Sequence, residues 1–482
     1  MDSLKEKTGK ALAWDLVGNY GGQVSGFIIS IFLARLLEPE EFGLVGMSLV
    51  FINIMKVFMD LGLTSALIQN KGNTSLTYSS VFYVNVLFAV ILTVLIYLLA
   101  PWVGAFYESS IVTFLVQILS ISFFISSFNI VQSTILKIEL DFKSLTYRDL
   151  FSQIVAGIVA IGFAYAGYGV YALVLQLILS EILKSILLWK ITNWYPKLEF
   201  SLKEIKKLTG FSIYVLAAQS ANRIFSELDT LVVGKLFAPA LLGFYSRANS
   251  LNQVIIRNSS KSISKVFFPV LSKVQDDEKR FVKIFIKVIN IVSGVAVLMT
   301  GIFFLAGEEI IIGLFGKKWQ PSVLIFQVLI LRGFTYPISS MIVNAFLAKG
   351  MSRENFHYGN IRKVLQLIPL VVAYIYGFYP FLYALVGISI LAWLLNNYFS
   401  TRSLGISYWE QIKAVAPSLI LGIIIVSIIV FLFPAERNYL IAALKIIVFS
   451  ILYLGILYFF KSTLTSEGKY YIKIAWKKLR NL

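Results

Sequence analysis

Four arginines interrupt apolar sequence beyond residue 200 of this chain: Arg223, Arg247, Arg257 and Arg332. A guanidinium keeps its charge and grips phosphate or carboxylate through two parallel hydrogen bonds. Further polar side chains surround these arginines at helical spacing. Gln219, Asn222 and Arg223 precede Glu227 and Asp229, and Asn249, Gln253 and Arg257 recur every fourth residue, so they share one helix face. In the first half Asp15, Asn19 and Gln23 repeat the four-residue spacing, with Gly18, Gly22 and Gly26 close by. The chemistry on offer is recognition of an anion by cations and amides. Asp15, Asp60, Glu227 and Asp229 add carboxylates suited to binding a coupling cation or proton.

Nothing in the set points to bond-breaking. The chain has one histidine, His357, placed in a loop without a ligand cluster, and no cysteine. Disulfides and thiolate metal sites are therefore excluded, and no zinc, haem or other cofactor is expected. Several polar residues also have a plain structural reading. The Asp15, Asn19 and Gln23 face is either the wall of a wet cavity or polar glue beside a small-residue packing stripe. Arg223 with Glu227, and Lys56 with Asp60, are spaced to neutralise each other, whereas Asp229 lies off that face. Arg247 and Arg257 near helix ends could snorkel to the interface.

The elements that must hold these side chains are membrane helices. The 482-residue chain is 58% apolar and 14% charged, with a mean hydropathy of +0.80. A helix crossing the roughly 30 Å hydrocarbon core needs about 20 mostly apolar residues. Such segments fall near 11–36, 42–68, 78–101, 111–136, 148–166, 168–191, 208–236, 240–270, 281–306, 321–348, 356–378, 379–402, 412–433 and 438–461. The expectation is an all-α integral membrane protein of about 14 transmembrane helices. Short alternating strands are absent, which argues against an outer-membrane barrel. The formal charge of +18 sits in short loops and orients the protein, so nucleic acid is not the expected partner.

Alternate loops differ in cation content. One side holds Lys71, Lys137, Lys143, Lys190, Lys203, Lys273, Arg280, Arg353, Lys413 and the tail from Lys469 to Arg480, and the other only Arg35, Lys235, Lys317, Lys318 and Arg437. That asymmetry predicts both termini in the cytoplasm, with the first apolar segment an uncleaved span.

Two stretches mark a duplication. Arg35, Pro39 and Gly43 stand in register with Lys235, Pro239 and Gly243, and Gln23 with Arg223. Six spans separate equivalent starts near 11 and 208. An even number makes the repeats parallel, related by an axis along the membrane normal. Tight glycine joints at Gly167-Tyr168-Gly169 and at Gly377 to Pro380 recur at corresponding places. The predicted organisation is a six-helix lobe over 1–200, a second over 201–405, and an appended helix pair with a basic cytoplasmic tail over 406–482.

The chain resembles the oligosaccharide flippases of the multidrug/oligosaccharidyl-lipid/polysaccharide exporter superfamily. Within its polysaccharide transporter group, the similarity is to the Wzx-type branch that includes colanic acid and teichuronic acid exporters. It is carried by Leu33-Ala34-Arg35-Leu36-Leu37 with Pro39 and Phe42-Gly43, by Asp60-Leu61-Gly62-Leu63 before Ala66-Leu67-Ile68-Gln69, and by Leu242-Gly243-Phe244-Tyr245-Ser246-Arg247-Ala248. The resemblance implies two lobes opening alternately to either side of a bacterial cytoplasmic membrane. It implies undecaprenyl-pyrophosphate-linked oligosaccharide repeat units as cargo, destined for exopolysaccharide, capsule or O-antigen, and a polysaccharide polymerase with its chain-length machinery as partners. Lipid II or a drug is the alternative cargo, although the positive second lobe opposes cationic drugs. A membrane polymerase or ligase fits poorly, because the outer loops are short and hold few carboxylates.

Overall fold

A computed structural model describes residues 2–70, 72–433 and 438–459. The side chains of residues 2–5, 211, 212, 214, 215, 257–263, 265 and 266 fall outside that description. So do Lys71, Glu436, Arg437 and the basic tail, and of Arg257 only the backbone is described. Among the described residues the regular structure is helical throughout, with no strand.

The first seven helices are α1 (Asp2–Leu36), α2 (Pro39–Met59), α3 (Leu63–Gln69), α4 (Ser75–Tyr107), α5 (Ser110–Ile138), α6 (Phe142–Tyr165) and α7 (Val170–Ile191). The chain continues through α8 (Leu202–Leu236), α9 (Pro239–Lys273), α10 (Glu278–Leu305), α11 (Gly307–Phe315), α12 (Pro321–Ile330) and α13 (Thr335–Ala348). It closes with α14 (Ser352–Leu365), α15 (Ile368–Tyr376), α16 (Phe378–Leu404), α17 (Tyr408–Leu432) and α18 (Tyr439–Phe459).

Among the described residues, eleven segments are long and apolar enough to span a membrane. The three other expected spans, 208–236, 240–270 and 356–378, coincide with α8, α9 and the α14–α15 pair. At 35 residues, α8 and α9 are each about 52 Å long, ample for a crossing. Their load of charged and polar side chains is what sets them apart from the eleven. The chain is a multi-pass, all-helical membrane protein.

Contacts divide the chain into two compact units, residues 1–246 and 247–482. In the first, α1 lies along α6, α4 pairs with α5, and α8 packs on α2, α3 and α4. In the second, α10 packs on α17 and α18, and α13 on α16. The equivalence of sequence begins a new repeat near residue 200, while the packing keeps α8 with the helices that precede it.

Helices in lipid gain little from the hydrophobic effect between them, so close backbone approach and polar contacts hold them together. The α1–α6 seam works this way. A Cβ at Gly18 or Gly26 would press on Thr146 or Gln153 of α6. Across the same seam the Gln153 amide donates to the Gly22 carbonyl at 2.9 Å, and the Thr146 hydroxyl to the Trp14 carbonyl at 2.9 Å.

The repeated turns meet each other. A Cβ on Gly43 would overlap the carbonyl oxygen of Pro239, and one on Gly243 would overlap that of Pro39. Both contacts lie inside the first unit, and each is the other's image. The second repeated feature is also present in the backbone. Gly169 (φ 55, ψ −131) opens α7 and Gly377 (φ 88, ψ −169) opens α16, both in left-hand torsion space that favours glycine.

Candidate functional site

The span expected over 42–68 breaks in its last third. Leu61 (φ 49) and Gly62 (φ 73) adopt positive φ between α2 and α3. Asp60 caps the restart, accepting hydrogen bonds from the Thr64 backbone N–H (3.0 Å) and hydroxyl (2.6 Å). Capping satisfies amides that a helix start leaves unpaired. Asp60 therefore does not neutralise Lys56, as the i, i+4 spacing suggested. Lys56 reaches α7 instead, where its Nζ lies 3.3 Å from a Glu181 oxygen.

Glu181 is the centre of a cluster. It also receives Lys184 at 3.3 Å and the Ser126 hydroxyl of α5 at 3.1 Å. Two cations share one carboxylate, so the group is positive by one charge. One turn along α2 from Lys56, Asn53 donates to Glu227 of α8 at 3.3 Å. Glu227 is also held by Arg223, at 2.7 Å, so this i, i+4 pair forms as spaced. Asn53 and Lys56 stand three residues apart and face the same way. Side chains of α5, α7, α2 and α8 thus make a polar ladder across the first unit, Lys184 and Ser126 to Glu181 to Lys56, then Asn53 to Glu227 to Arg223.

The other expected residues are distributed as follows. Asp229 is met by the Tyr245 hydroxyl at 3.4 Å, a neighbour its place on the helix did not reveal. Gln219 and Asn222 are exposed on α8. On α1, Asn19 and Gln23 are exposed, and the Asn19 amide donates to the Asp15 carbonyl of its own helix at 2.9 Å. The glycines of α1 face α6 while Asn19 and Gln23 sit about 100° around the helix, so packing stripe and polar face are two sides of one element. In the second unit Arg247, Asn249 and Gln253 are half-buried on α9, with the Arg247 Nε inside the protein. Arg332 is half-buried in a tight helical turn, Leu331–Gly333, between α12 and α13.

Glu181 and Lys184 were not singled out by sequence reasoning, and neither was the Arg148–Asp149 pair of α6 (2.7 Å), whose arginine also donates to Ser133. For the first pair the signal was there: Glu181 and Lys184 are charges inside an otherwise apolar run. Among the described residues, no group of three or more His, Asp or Glu side chains is placed to hold a metal ion. The arrangement can bind an anion through Lys56, Lys184 and Arg223, each held out of mutual repulsion by Glu181 or Glu227.

Residues 32–324 match the model of a family described as polysaccharide biosynthesis protein. The chain belongs to that family. Two relatives show the family's range. The lipopolysaccharide biosynthesis protein WzxC of Escherichia coli is 24% identical over 381 residues, 77% of this chain and 75% of that protein. The succinoglycan biosynthesis transport protein ExoT of Rhizobium meliloti is 25% identical over 337 residues, 69% of this chain and 67% of that protein. In fold, the chain is similar to the lipid II flippase MurJ in an inward closed conformation. That likeness has a TM-score of 0.71 at 17% identity and covers 92% of this chain and 99% of the other. Of these two relatives ExoT is a transport protein by name, and the fold is similar to that of MurJ.

Proposed function

We propose that this protein is a flippase that carries undecaprenyl-pyrophosphate-linked oligosaccharide repeat units across the bacterial cytoplasmic membrane by alternating access. The observation that carries the reading is the ladder in the first unit, where the cationic side chains Lys56, Lys184 and Arg223 are gathered around Glu181 and Glu227. Ionised groups in hydrocarbon are costly, by roughly 2.5–3.5 kcal/mol each on insertion scales, and persist where they serve a polar ligand or path. A pyrophosphate brings the opposite charge, and exposed amides at Asn19, Gln23, Gln219 and Asn222 suit sugar hydroxyls. Membership of a polysaccharide biosynthesis family, with one relative named for transport, supports the same cargo class.

In this reading the repeats form two parallel six-helix lobes, 1–200 and 201–405, with residues 406–482 appended, fourteen spans in all, and both termini cytoplasmic. Arg247, Asn249, Gln253, Arg257 and Arg332 belong to the second lobe's share of the cavity. Asp15, Glu227 and Asp229 are the carboxylates that would carry a coupling ion, and Asp60, which caps α3, ranks below them. Glycan polymerase and chain-length proteins act on the delivered unit.

Deleting the gene tests the transport step. Lipid-linked repeat units should accumulate on the cytoplasmic leaflet, unreachable by an impermeant glycan label in intact cells. Normal surface polymer in a deletion strain without a second flippase overturns the proposal. The absence of native cysteine makes the site test clean, since Arg223→Cys and Arg247→Cys each give one thiol in the chain. Both should react with a water-soluble maleimide, and inert thiols at both positions would remove these arginines from the cavity.

A further inference from the structure

The second unit contains a basic groove that the transport reading does not use. Along α10, Lys279, Lys283 and Lys287 recur every fourth residue and line one wall. From the first to the third they descend about 12 Å along the helix, from its aqueous end into the span. The facing wall is the start of α17, with Glu410 and Lys413, and the groove has a volume of about 770 Å³. Its floor is fixed by the Asn290 amide, which donates to the Ala414 carbonyl across the α10–α17 contact at 2.9 Å. Beneath lie Phe285, Ile289 and Val415, all buried.

Two features separate this groove from an ordinary solvated face. Glu278 and Glu410 line it but, among the described residues, neither is within ion-pair distance of Lys279, Lys283 or Lys413. Four lysines against two glutamates leave a net charge of +2. The groove also continues into an apolar track. On α17, Ile420, Ile424 and Phe431 follow Lys413 on the same face at seven, eleven and eighteen residues. All three are exposed, Phe431 at 89%. Lys413 to Phe431 is about 27 Å of helix, close to the depth of a hydrocarbon core. A cationic head position above an exposed apolar strip has the shape of an amphiphile.

We propose that the α10–α17 groove is a binding site for the phosphate headgroup of an anionic lipid, with Lys283, Lys287 and Lys413 holding the phosphate and the α17 strip accompanying the chain. The site lies wholly within the second unit, and it does not depend on which cargo is carried.

Native mass spectrometry of the full-length protein in detergent, titrated with phosphatidylglycerol, phosphatidylcholine, a polyprenyl phosphate and inorganic phosphate, tests it. Phosphatidylglycerol should be retained over phosphatidylcholine. The triple variant Lys283→Gln, Lys287→Gln, Lys413→Gln should weaken retention by at least about tenfold. A control variant, Lys317→Gln with Lys318→Gln, removes two charges elsewhere and should leave retention unchanged. If the triple variant melts early, the single reversal Lys283→Glu takes its place with the same expected direction. Equal loss in the control, equal retention of phosphatidylcholine, or displacement of the lipid by millimolar inorganic phosphate would each overturn the proposal. Preference between phosphatidylglycerol and the polyprenyl phosphate assigns the source, resident leaflet lipid or the head of a polyprenyl carrier, and either preference upholds a lipid-phosphate site.

Discussion

At the scale of single residues, Glu227 and Glu181 organise the chemistry. Each gathers cations from its own helix and a polar partner from another, so neutralising one carboxylate changes several groups. Arg223→Ala should lower surface polymer about tenfold or more, given the ~1.5–3 kcal/mol of a charge-assisted hydrogen bond. Arg223→Lys should recover part of it, because lysine keeps the charge but loses the planar fork. Complementation of a deletion strain, with membrane levels checked by immunoblot, reads both. Glu181→Gln should cost as much as Arg223→Ala, since it leaves Lys56 and Lys184 3.3 Å from an uncharged amide. Wild-type polymer in Glu181→Gln would remove this cluster from the transport path. Charged residues inside apolar runs were visible in the sequence, and the Arg223–Glu227 pair follows from its spacing alone. The partner of Lys56 was not visible. Its local choice, Asp60, is diverted to cap α3 because the backbone turns at Leu61 and Gly62. Its actual partner is 125 positions away on α7.

Among the elements, the contact between the two turns makes the sharpest demand. Gly43→Ala and Gly243→Ala each place a methyl on a carbonyl oxygen that has no side chain to move aside. Each should destabilise by about 1–3 kcal/mol, the usual range for overpacking. The double variant should cost less than the sum, because the first methyl already parts the seam the second would strain. Melting in detergent measures all three. Close by, Lys235 at the end of α8 reaches Glu108 at 2.8 Å, where α4 ends. This hydrogen bond and the lysine's charge hold the Glu108 carboxyl below its ordinary value of 4.5. A lowered carboxyl pKa stabilises the fold above that ordinary value, and the contribution disappears as pH falls through the lowered one. The melting difference between wild type and Glu108→Gln should therefore be present at pH 7 and close below about pH 4. The pairing of Pro39 with Pro239 and of Gly43 with Gly243 was legible as a repeat. That the two turns touch depended on how the starts of α2 and α9 meet, which periodicity does not encode.

For the whole molecule, the all-helical membrane character followed from composition, and among the described residues eleven segments are long and apolar enough to span a membrane. Of the other three, α8 and α9 are polar, and α14 is polar where α15 is apolar; α8 carries the Arg223–Glu227 end of the ladder. Hydropathy is lowest on α8, α9 and α14. Orientation is open to a direct check. A cysteine replacing Lys318 should react with an impermeant thiol reagent in intact cells, and one replacing Lys279 only after lysis. The reverse pattern would invert the positive-inside assignment.

The reciprocal glycine–carbonyl contact has one more consequence. A surface that meets its own copy by exchanging equivalent atoms is the signature of an isologous dimer, here written into one polypeptide. Such an interface carries its own assembly instructions, so covalent continuity between the copies is dispensable for pairing. Severed in the link before Ser201 and co-expressed as two fragments, the chain should reassemble through its matched turns, and Gly43→Ala should abolish reassembly sooner than it harms the intact protein.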